Sequence, residues 1–398
     1  MGVIKRQGIK NTIIIYTGVI IGAISVIFVQ PYFLTSTEVG FTRNLYNFSF
    51  LLSLAVPLGL PNIIMRFYPA HKHESIGKHF LGFVLLYLFV AALLTFLIFL
   101  LFKNSIIGLY HADSELFVTY FYCVIPFSLA LAFLSCITNF SQAAYKSTVP
   151  SFLFDVCARL CVILVTVLYH YRLISFDAYV ICYVVIYALV SLIIVFYLQH
   201  FNLISLRIRW QDLKSLELRK MIPYGLMSCV VGFTAYGLKS IDAIFLGMTS
   251  LSNVAIYSTA VFLALFIEVP LSSVERISHA RIAENFATGN LKEIDKIYSE
   301  SVKYLLVFGG LIFLGMNACA RFIFEFLPAE YSAAVNLVLI LSFGSLVNIS
   351  TGVNNAILFY SNYFKTGAAV LVVSFLAAVI LDAWLIPKYG NTAAALIT

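Results

Sequence analysis

Residues Arg207 to Lys220 read RIRWQDLKSLELRK, and this stretch divides the chain into two halves. Seven of its fourteen residues are charged, with a net charge of +3, whereas charged residues make up only 11% of the whole sequence. On either side the sequence consists of apolar runs of about 20 residues separated by short polar gaps. We therefore interpret 207–220 as a cytoplasmic basic linker between two hydrophobic lobes, residues 1–206 and 221–398.

The composition is that of a protein that lies almost entirely in lipid. Hydrophobic residues make up 62% of the 398 residues, and the mean hydropathy is +0.97. An average soluble domain is about half apolar and a quarter charged. Because no long polar region interrupts the apolar runs, the sequence leaves no room for a sizeable soluble domain. The expected fold class is all-α, as a polytopic membrane protein.

The apolar runs have the length of membrane spans. A helix needs about 20 residues to cross the bilayer, because each residue rises about 1.5 Å through a hydrocarbon layer about 30 Å thick. Eleven complete spans are predicted at about 12–34, 44–66, 80–102, 117–140, 150–170, 178–198, 222–247, 254–275, 303–324, 334–360 and 366–386. Residues 391–398 resemble the opening turns of a twelfth, so we expect the chain to lack most of its last helix.

The distribution of basic residues predicts the orientation. Eighteen of the 25 Lys and Arg residues lie at the N-terminus or in alternate gaps on the same side, and the opposite gaps hold only five. Cytoplasmic loops carry such an excess, which places the N-terminus in the cytoplasm. The two halves also align at an offset of about 212 residues, for example Tyr46 with Tyr257 and Pro57 with Pro270. This offset predicts a parallel repeat of two six-helix bundles.

A few charged side chains lie inside the predicted spans, where each costs on the order of 2.5 to 3.5 kcal/mol to bury. They are Asp155 and Arg159 in the fifth span, Lys239 and Asp242 in the seventh, Glu268 in the eighth and Asp382 in the eleventh. Spacings of four and three residues put each of the first two pairs on one helix face. Each pair is either a structural ion pair or part of a water-filled cavity, with the cation offered to an anionic ligand and the acid as its partner.

Two further residues, Arg66 and Arg276, lie at the cytoplasmic ends of the second and eighth spans. Arg66 either anchors its helix on lipid headgroups or receives a phosphate group. Glu268 precedes Pro270, which marks either a gating bend or a tolerated kink. Residues 289–301 are predicted to form a short cytoplasmic helix capped by Asn290, as an elbow between spans eight and nine.

Several kinds of chemistry find no support in the sequence. The seven cysteines form no CxxC pair, and we infer no metal or disulfide site. The nucleotide-binding pattern GxxxxGK[ST] is absent, so neither ATP nor another cofactor is expected in this chain. The gaps between spans are too short to build an enzyme active site. We therefore expect a protein that is not an enzyme.

Three stretches resemble a known family: LGLPNIIMRFYPAHKH closing span two, SIDAIFLGMTSLSNVAIYSTA joining spans seven and eight, and VPLSSVERISHARIAENFATGN after span eight. With the basic N-terminus, they are similar to the polysaccharide-biosynthesis, O-antigen-type flippases of the multidrug/oligosaccharidyl-lipid/polysaccharide (MOP) exporter superfamily. The resemblance covers essentially the whole chain. It implies a bacterial inner-membrane transporter that turns a lipid-linked oligosaccharide from the cytoplasmic to the outer leaflet by alternating access.

The resemblance also implies a cationic central cavity, where we place Arg159 and Lys239, with Arg66 and Arg276 at the cytoplasmic mouth. Asp155, Asp242 and Glu268 are then charge partners or coupling residues. The expected partners are a lipid-linked oligosaccharide, membrane lipids and, as further candidates, polysaccharide polymerase and glycosyltransferases, with no nucleic acid.

Other functions remain open. A multidrug exporter of the same superfamily, driven by Na⁺ or H⁺, commonly carries an acid in its first span, and residues 11–37 contain no Asp or Glu. A membrane glycosyltransferase or sugar polymerase needs a catalytic loop, and the longest outward gap, around Lys103 to Glu115, is short for one. A structural partner within a sugar-export complex is the last alternative.

Overall fold

The computed structural model describes residues 2–71, 75–110, 112–201, 203, 218–361 and 363–398. Within these ranges, ten helical stretches are long and apolar enough to cross a membrane, or eleven if the bent pair Ser36–Ala55 and Leu60–Tyr68 forms one span. The all-α polytopic fold is thereby confirmed, and ten or eleven of these stretches agree with the predicted number of about eleven spans. Most of the predicted linker, residues 207–217, lies outside the described residues.

The chain forms two compact units. Unit 1 comprises Met1–Thr35 and Asn44–Tyr236, and unit 2 comprises Ser36–Arg43 and Gly237–Thr398. One division between the units falls directly before α3 (Ser36–Ala55), and the other two fall inside α3 and inside α11 (Leu218–Thr249). Each of these helices therefore contributes residues to both units.

Unit 1 is built around one buried helix, α7. Besides parts of α3 and α11, the described part of unit 1 contains the helices α1 (Gly2–Ala23), α2 (Gln30–Phe33), α4 (Leu60–His71), α5 (Ser75–Ile107), α6 (Glu115–Thr119), α7 (Val124–Ala143), α8 (Thr148–Phe152), α9 (Ala158–His170) and α10 (Phe176–His200). Both α4 and α10 pack on α7, burying Phe127 and Phe140 completely. The outward faces carry large apolar side chains such as Leu101, which is 79% exposed. A surface of this kind suits lipid rather than water.

Two spans of unit 1 that pack against each other each contain a π-helical segment. Residues Ile24–Val29 continue α1, and residues Leu153–Cys157 lead into α9. A Cβ atom on Gly18 would lie 2.6 Å from the Asp155 carbonyl oxygen, a separation too short for any other residue. Small residues of this kind let membrane helices approach closely.

The second span is broken rather than continuous over 44–66 as predicted. Its two parts, α3 and α4, meet at an angle of 51°. Pro57 cannot donate the helical hydrogen bond, and it disfavours helical geometry at the preceding residue. Leu58 and Gly59 then adopt positive φ angles of 43° and 79°. Gly59 also lies against Gly225 of α11, where a Cβ atom would be 1.9 Å from the Gly225 oxygen.

Unit 2 contains the second half of α11 and seven further helices: α12 (Leu251–Ala264), α13 (Val269–Thr288), α14 (Leu291–Glu325), α15 (Ala334–Ser350), α16 (Asn354–Tyr360), α17 (Phe364–Tyr389) and α18 (Asn391–Ile397). One apolar cluster joins Ile267, Leu271, Leu305 and Ile349. A second cluster joins Ile282, Ile297, Val353 and Ala356. These clusters hold α13 and α14 to the junction of α15 and α16.

Two predicted elements of unit 2 differ from the structure. The cap at Asn290 is confirmed, because its Oδ1 accepts a hydrogen bond from the Glu293 amide at 3.3 Å. The predicted separate elbow helix is wrong, because α14 continues from Leu291 through the ninth span without a break. The predicted span 334–360 is interrupted between α15 and α16, where Gly352 has a φ of +61°.

Replacing Gly59 by Ala tests the break in the second span. The new methyl group would collide with the Gly225 carbonyl, and the positive φ adds roughly 1–2 kcal/mol of strain. We expect a lower melting temperature for the detergent-purified protein, measured by a thermal-shift assay. Gly344→Ala is the control, since a Cβ atom there meets nothing within 4 Å, and it should be neutral or stabilise by up to about 1 kcal/mol. Equal melting temperatures for the two variants would contradict the strain at Gly59.

Candidate functional site

The guanidinium group of Arg66 lies over two aromatic rings near the end of α4. Its Cζ atom is 4.4 Å from the centre of the Tyr224 ring and 5.7 Å from that of Phe67. Tyr224 follows the exposed Lys220 by four residues in α11, so the two side chains share a helix face. A guanidinium group stacked on a ring keeps its N–H groups available for an anion. Arg66 itself is exposed.

Arg159, by contrast, is engaged within unit 1. Its Nη1 donates a hydrogen bond to the carbonyl oxygen of Gly18, and a Cβ atom on Gly22 would collide with the same nitrogen. The half-buried Asp155 attracts the guanidinium electrostatically. Arg159 therefore joins the first and fifth spans, and an anion that binds it would have to share it with Gly18.

Lys239 lies beside a polar cavity of about 290 Å³ in unit 2. Its Nζ is 4.0 Å from Oε2 of Glu268, which ends a short 3₁₀ turn directly before α13. The cavity is also lined by Ser272, Glu275, Asn348 and Asn355. The predicted pairing of Lys239 with Asp242 is not formed: Lys239 faces Glu268, and Asp242 has other partners.

Asp242 and Asp382 form a buried pair of carboxyl groups in unit 2. They are 1% and 0% exposed, and the two carboxyl groups are close enough to interact electrostatically. Oδ2 of Asp242 accepts hydrogen bonds from the Tyr257 hydroxyl at 3.0 Å and from Thr398 Oγ1 at 2.6 Å. Neither oxygen of Asp382 has a hydrogen-bond donor among the described residues.

This pair needs a positive partner that the described side chains do not supply. Burying a single charge costs several kcal/mol after relaxation, and two adjacent negative charges repel each other as well. A proton shared between the carboxyl groups, or a small cation held by their oxygens and Thr398 Oγ1, would remove the repulsion. Oxygen ligands of this kind suit a hard cation. In the described part of the chain, no group of three or more His, Cys, Asp or Glu side chains comes together.

The structure thus separates the predicted residues. Arg66 and Arg159 belong to unit 1, whereas Lys239, Glu268 and Asp242 belong to unit 2. The backbone of Arg276 lies in α13, and its side chain is outside the described part. The sequence predicts Asp382 as a charge inside a span. It does not predict the pairing of Asp382 with Asp242, since the two residues are 140 positions apart. It gave no role to Glu275, Asn348 or Asn355, because polar residues near span ends are common.

Comparison with known proteins places this fold. No protein-family model matches the sequence, and no curated protein sequence matches it either. Solved structures do match. A multidrug resistance MATE family transporter of the MOP superfamily, in an inward-facing conformation, superposes with a TM-score of 0.70 at 14% identity, over 96% of this chain and 90% of that one. The lipid II flippase MurJ, in an inward closed conformation, gives 0.67 at 15% identity, over 91% and 82%.

A third structure, a variant of the Vibrio cholerae MATE transporter VcmN, gives a TM-score of 0.57 at 14% identity, over 100% of this chain and 94% of that one. At such low identity these neighbours show that the chain shares their fold, and nothing finer.

Replacing Asp382 by Asn tests the carboxyl pair. The amide removes one buried negative charge and can donate a hydrogen bond to Asp242, so we expect stabilisation by about 1 kcal/mol or more in Na⁺-free buffer at neutral pH. The melting temperature of the wild type should rise with added NaCl relative to choline chloride, or with falling pH, and this response should be lost in the variant.

Asp295→Asn is the control, because Asp295 is an exposed acid of α14, and it should change stability by less than about 0.5 kcal/mol. A wild type insensitive to both Na⁺ and pH, together with a destabilised Asp382→Asn variant, would show that the pair binds neither cation.

Proposed function

We propose that this protein is a transporter that moves a polyprenyl-(pyro)phosphate-linked oligosaccharide across the bacterial cytoplasmic membrane for surface polysaccharide synthesis. The observation that carries the proposal is the exposed guanidinium of Arg66, held over Tyr224 with its N–H groups available to a phosphate. The shared fold supports it, since one neighbour of this fold is described as a lipid II flippase. Movement would proceed by alternating access, with the N-terminus in the cytoplasm.

Transport of a lipid-linked head group is compatible with a sequence that has few charges and no nucleotide-binding pattern. The lipid tail of the substrate stays in the bilayer throughout, and only the hydrated, anionic head needs a polar path. In a cell that is negative inside, outward movement of negative charge is favoured by about 2.3 kcal/mol per charge per 100 mV. Cations moving with the head would cancel part of this gain.

We assign the residues different parts in this transport. Arg66 receives the phosphate, and Arg276 remains a proposed second phosphate receptor. Arg159 holds the first span to the fifth through Gly18, and it meets substrate only when that contact opens. Lys239 contacts the head in unit 2. The Asp242 and Asp382 pair binds the coupling cation, whose release and uptake accompany the conformational change.

A second candidate is a cation-coupled exporter of organic cations. It is favoured by the polar cavity of unit 2, where Glu268 and Glu275 outnumber Lys239 among the described lining residues. One neighbour of this fold is described as a multidrug resistance transporter. Such an exporter would use the same buried carboxyl pair for coupling, so that pair does not separate the two candidates.

Substitution of Arg66 tests the flippase. In liposomes with a fluorescent polyprenyl phosphate, chemical quenching of the outer leaflet measures how fast the lipid changes sides. We expect Arg66→Ala to slow this exchange and weaken binding of the lipid by about tenfold, because a charge-assisted hydrogen bond contributes about 1.5–3 kcal/mol. Arg66→Lys should keep part of the activity, since it retains the charge without the planar fork.

Arg172→Ala is the control, because Arg172 is an exposed arginine outside the site, and it should exchange lipid at the wild-type rate. A wild type that moves a cationic dye but no polyprenyl phosphate would establish the exporter instead.

A further inference from the structure

The polar cavity of unit 2 is lined mainly by hydrogen-bonding side chains. It lies where α11, the 3₁₀ turn before α13, the first turns of α13, and the junction of α15 and α16 come together. Six of the nine residues that line it are polar: Lys239, Glu268, Ser272, Glu275, Asn348 and Asn355. Six polar side chains around one cavity keep it hydrated and able to bind a polar ligand.

The charge of the cavity argues against an anionic ligand. Among the described lining side chains, Lys239 carries one positive charge, and Glu268 and Glu275 carry two negative charges. Lys239 already lies 4.0 Å from Glu268, which offsets its attraction for a phosphate, and Glu275 would repel one. A phosphate is therefore better bound by Arg66, which has no ion-pair partner among the described residues.

The same side chains form a dense set of hydrogen-bonding groups for a neutral ligand. Each asparagine offers two N–H donors and one acceptor oxygen, each carboxylate accepts several hydrogen bonds, and the lysine donates up to three. Lys239 and Asn355 are exposed, and Asn348 is half-buried, so a ligand can reach them. Alternating donors and acceptors of this kind match the adjacent hydroxyl groups of a sugar ring.

The size of the cavity fits one such ring. Its volume of about 290 Å³ exceeds that of a single sugar ring with its hydroxyl groups, so one ring can enter it together with a few water molecules. The apolar residues Leu265, Val269 and Leu271 complete the lining and give the ring a face to lie on.

A cavity in unit 1 provides an internal contrast. It measures about 220 Å³, and all seven of its lining residues are Ala, Val, Leu or Phe, for example Leu88 and Phe133. A cavity of that composition suits a hydrocarbon chain of the bilayer. The two cavities are of similar size but differ sharply in the polarity of their lining. The polar lining in unit 2 is therefore not a feature that both cavities share.

We propose that the cavity of Lys239, Glu268, Glu275, Asn348 and Asn355 is a sugar subsite. It binds the uncharged, hydroxyl-rich part of the substrate head, while the phosphate is bound elsewhere. The assignment rests on the proposed function and refines it, because it changes the role of Lys239 from a phosphate receptor to a hydrogen-bond donor for hydroxyl groups. Specificity for the glycan, and not affinity for the lipid phosphate, is set in unit 2.

Binding measurements with two classes of lipid test the subsite. The full chain, in nanodiscs free of glycolipid, is titrated with undecaprenyl phosphate, which has no sugar. It is also titrated with a panel of undecaprenyl-monophosphate lipids bearing glucose, galactose, N-acetylglucosamine or N-acetylgalactosamine. The wild type should bind at least one sugar-bearing lipid about tenfold more tightly than undecaprenyl phosphate.

Variants of the cavity should lose this preference only. Glu275→Gln and Asn355→Ala are expected to weaken the preferred sugar lipid by about tenfold and to leave the Kd for undecaprenyl phosphate unchanged. Glu284→Gln is the matched control, because Glu284 is an exposed acid of the same helix α13 outside the cavity, and it should behave as the wild type. A normal gel-filtration profile and control-like binding of undecaprenyl phosphate establish that each variant is folded.

Each other outcome overturns a definite part of the proposal. If no sugar lipid binds more tightly than undecaprenyl phosphate, or if the cavity variants weaken both lipids equally, the subsite is refuted while lipid-phosphate transport stands. If the wild type binds neither class of lipid, the proposed function itself fails. Tight binding of the cationic dye ethidium that is lost in Glu275→Gln would assign the cavity to an exporter of organic cations.

Discussion

The structure depends on one constraint: lipid offers no hydrogen bonds and no counter-charges, so each polar group inside a span must find a partner within the protein. Three of the in-span charges show the solutions. Arg159 donates to a backbone carbonyl of the neighbouring span, Lys239 approaches Glu268, and Asp242 accepts from two hydroxyl groups. The helices are placed by these contacts as much as by their apolar surfaces, since leucine packs no better on leucine than on an acyl chain.

Two polar arrangements in unit 2 underlie the proposed function. The carboxyl group of Asp382 is fully buried beside another acid, and it meets no donor among the described residues. The cavity around Glu275 gathers six polar residues. The first arrangement would be stabilised by a proton or a small cation, and the second would suit the hydroxyl-rich ligand proposed above. The proposed transporter needs both kinds of site, one to couple its conformations and one to recognise its substrate.

Hydrophobic runs in the sequence predict the spans, because a bilayer imposes a single length on every crossing helix. They do not predict where a span breaks. The prediction of one continuous helix over 44–66 was wrong at Pro57, where the helix bends and Gly59 packs against Gly225. Local spacing likewise suggested that Lys239 would pair with Asp242, three residues away. Tertiary packing overrides that choice, since the 3₁₀ turn before α13 offers Glu268 to Lys239 and α12 offers Tyr257 to Asp242. The pair of Asp242 and Asp382 is invisible to any local pattern, because only the fold brings residues 140 positions apart together.

The contact between the first and fifth spans also ties together positions that are far apart in the sequence. Gly22 has no side chain, and the Arg159 guanidinium occupies the space where one would be, while the hydrogen bond to Gly18 fixes its direction. In related chains, a larger residue at position 22 is therefore compatible only with a shorter or differently directed residue at position 159. These two positions should covary in an alignment, as a steric record of how closely the two helices lie.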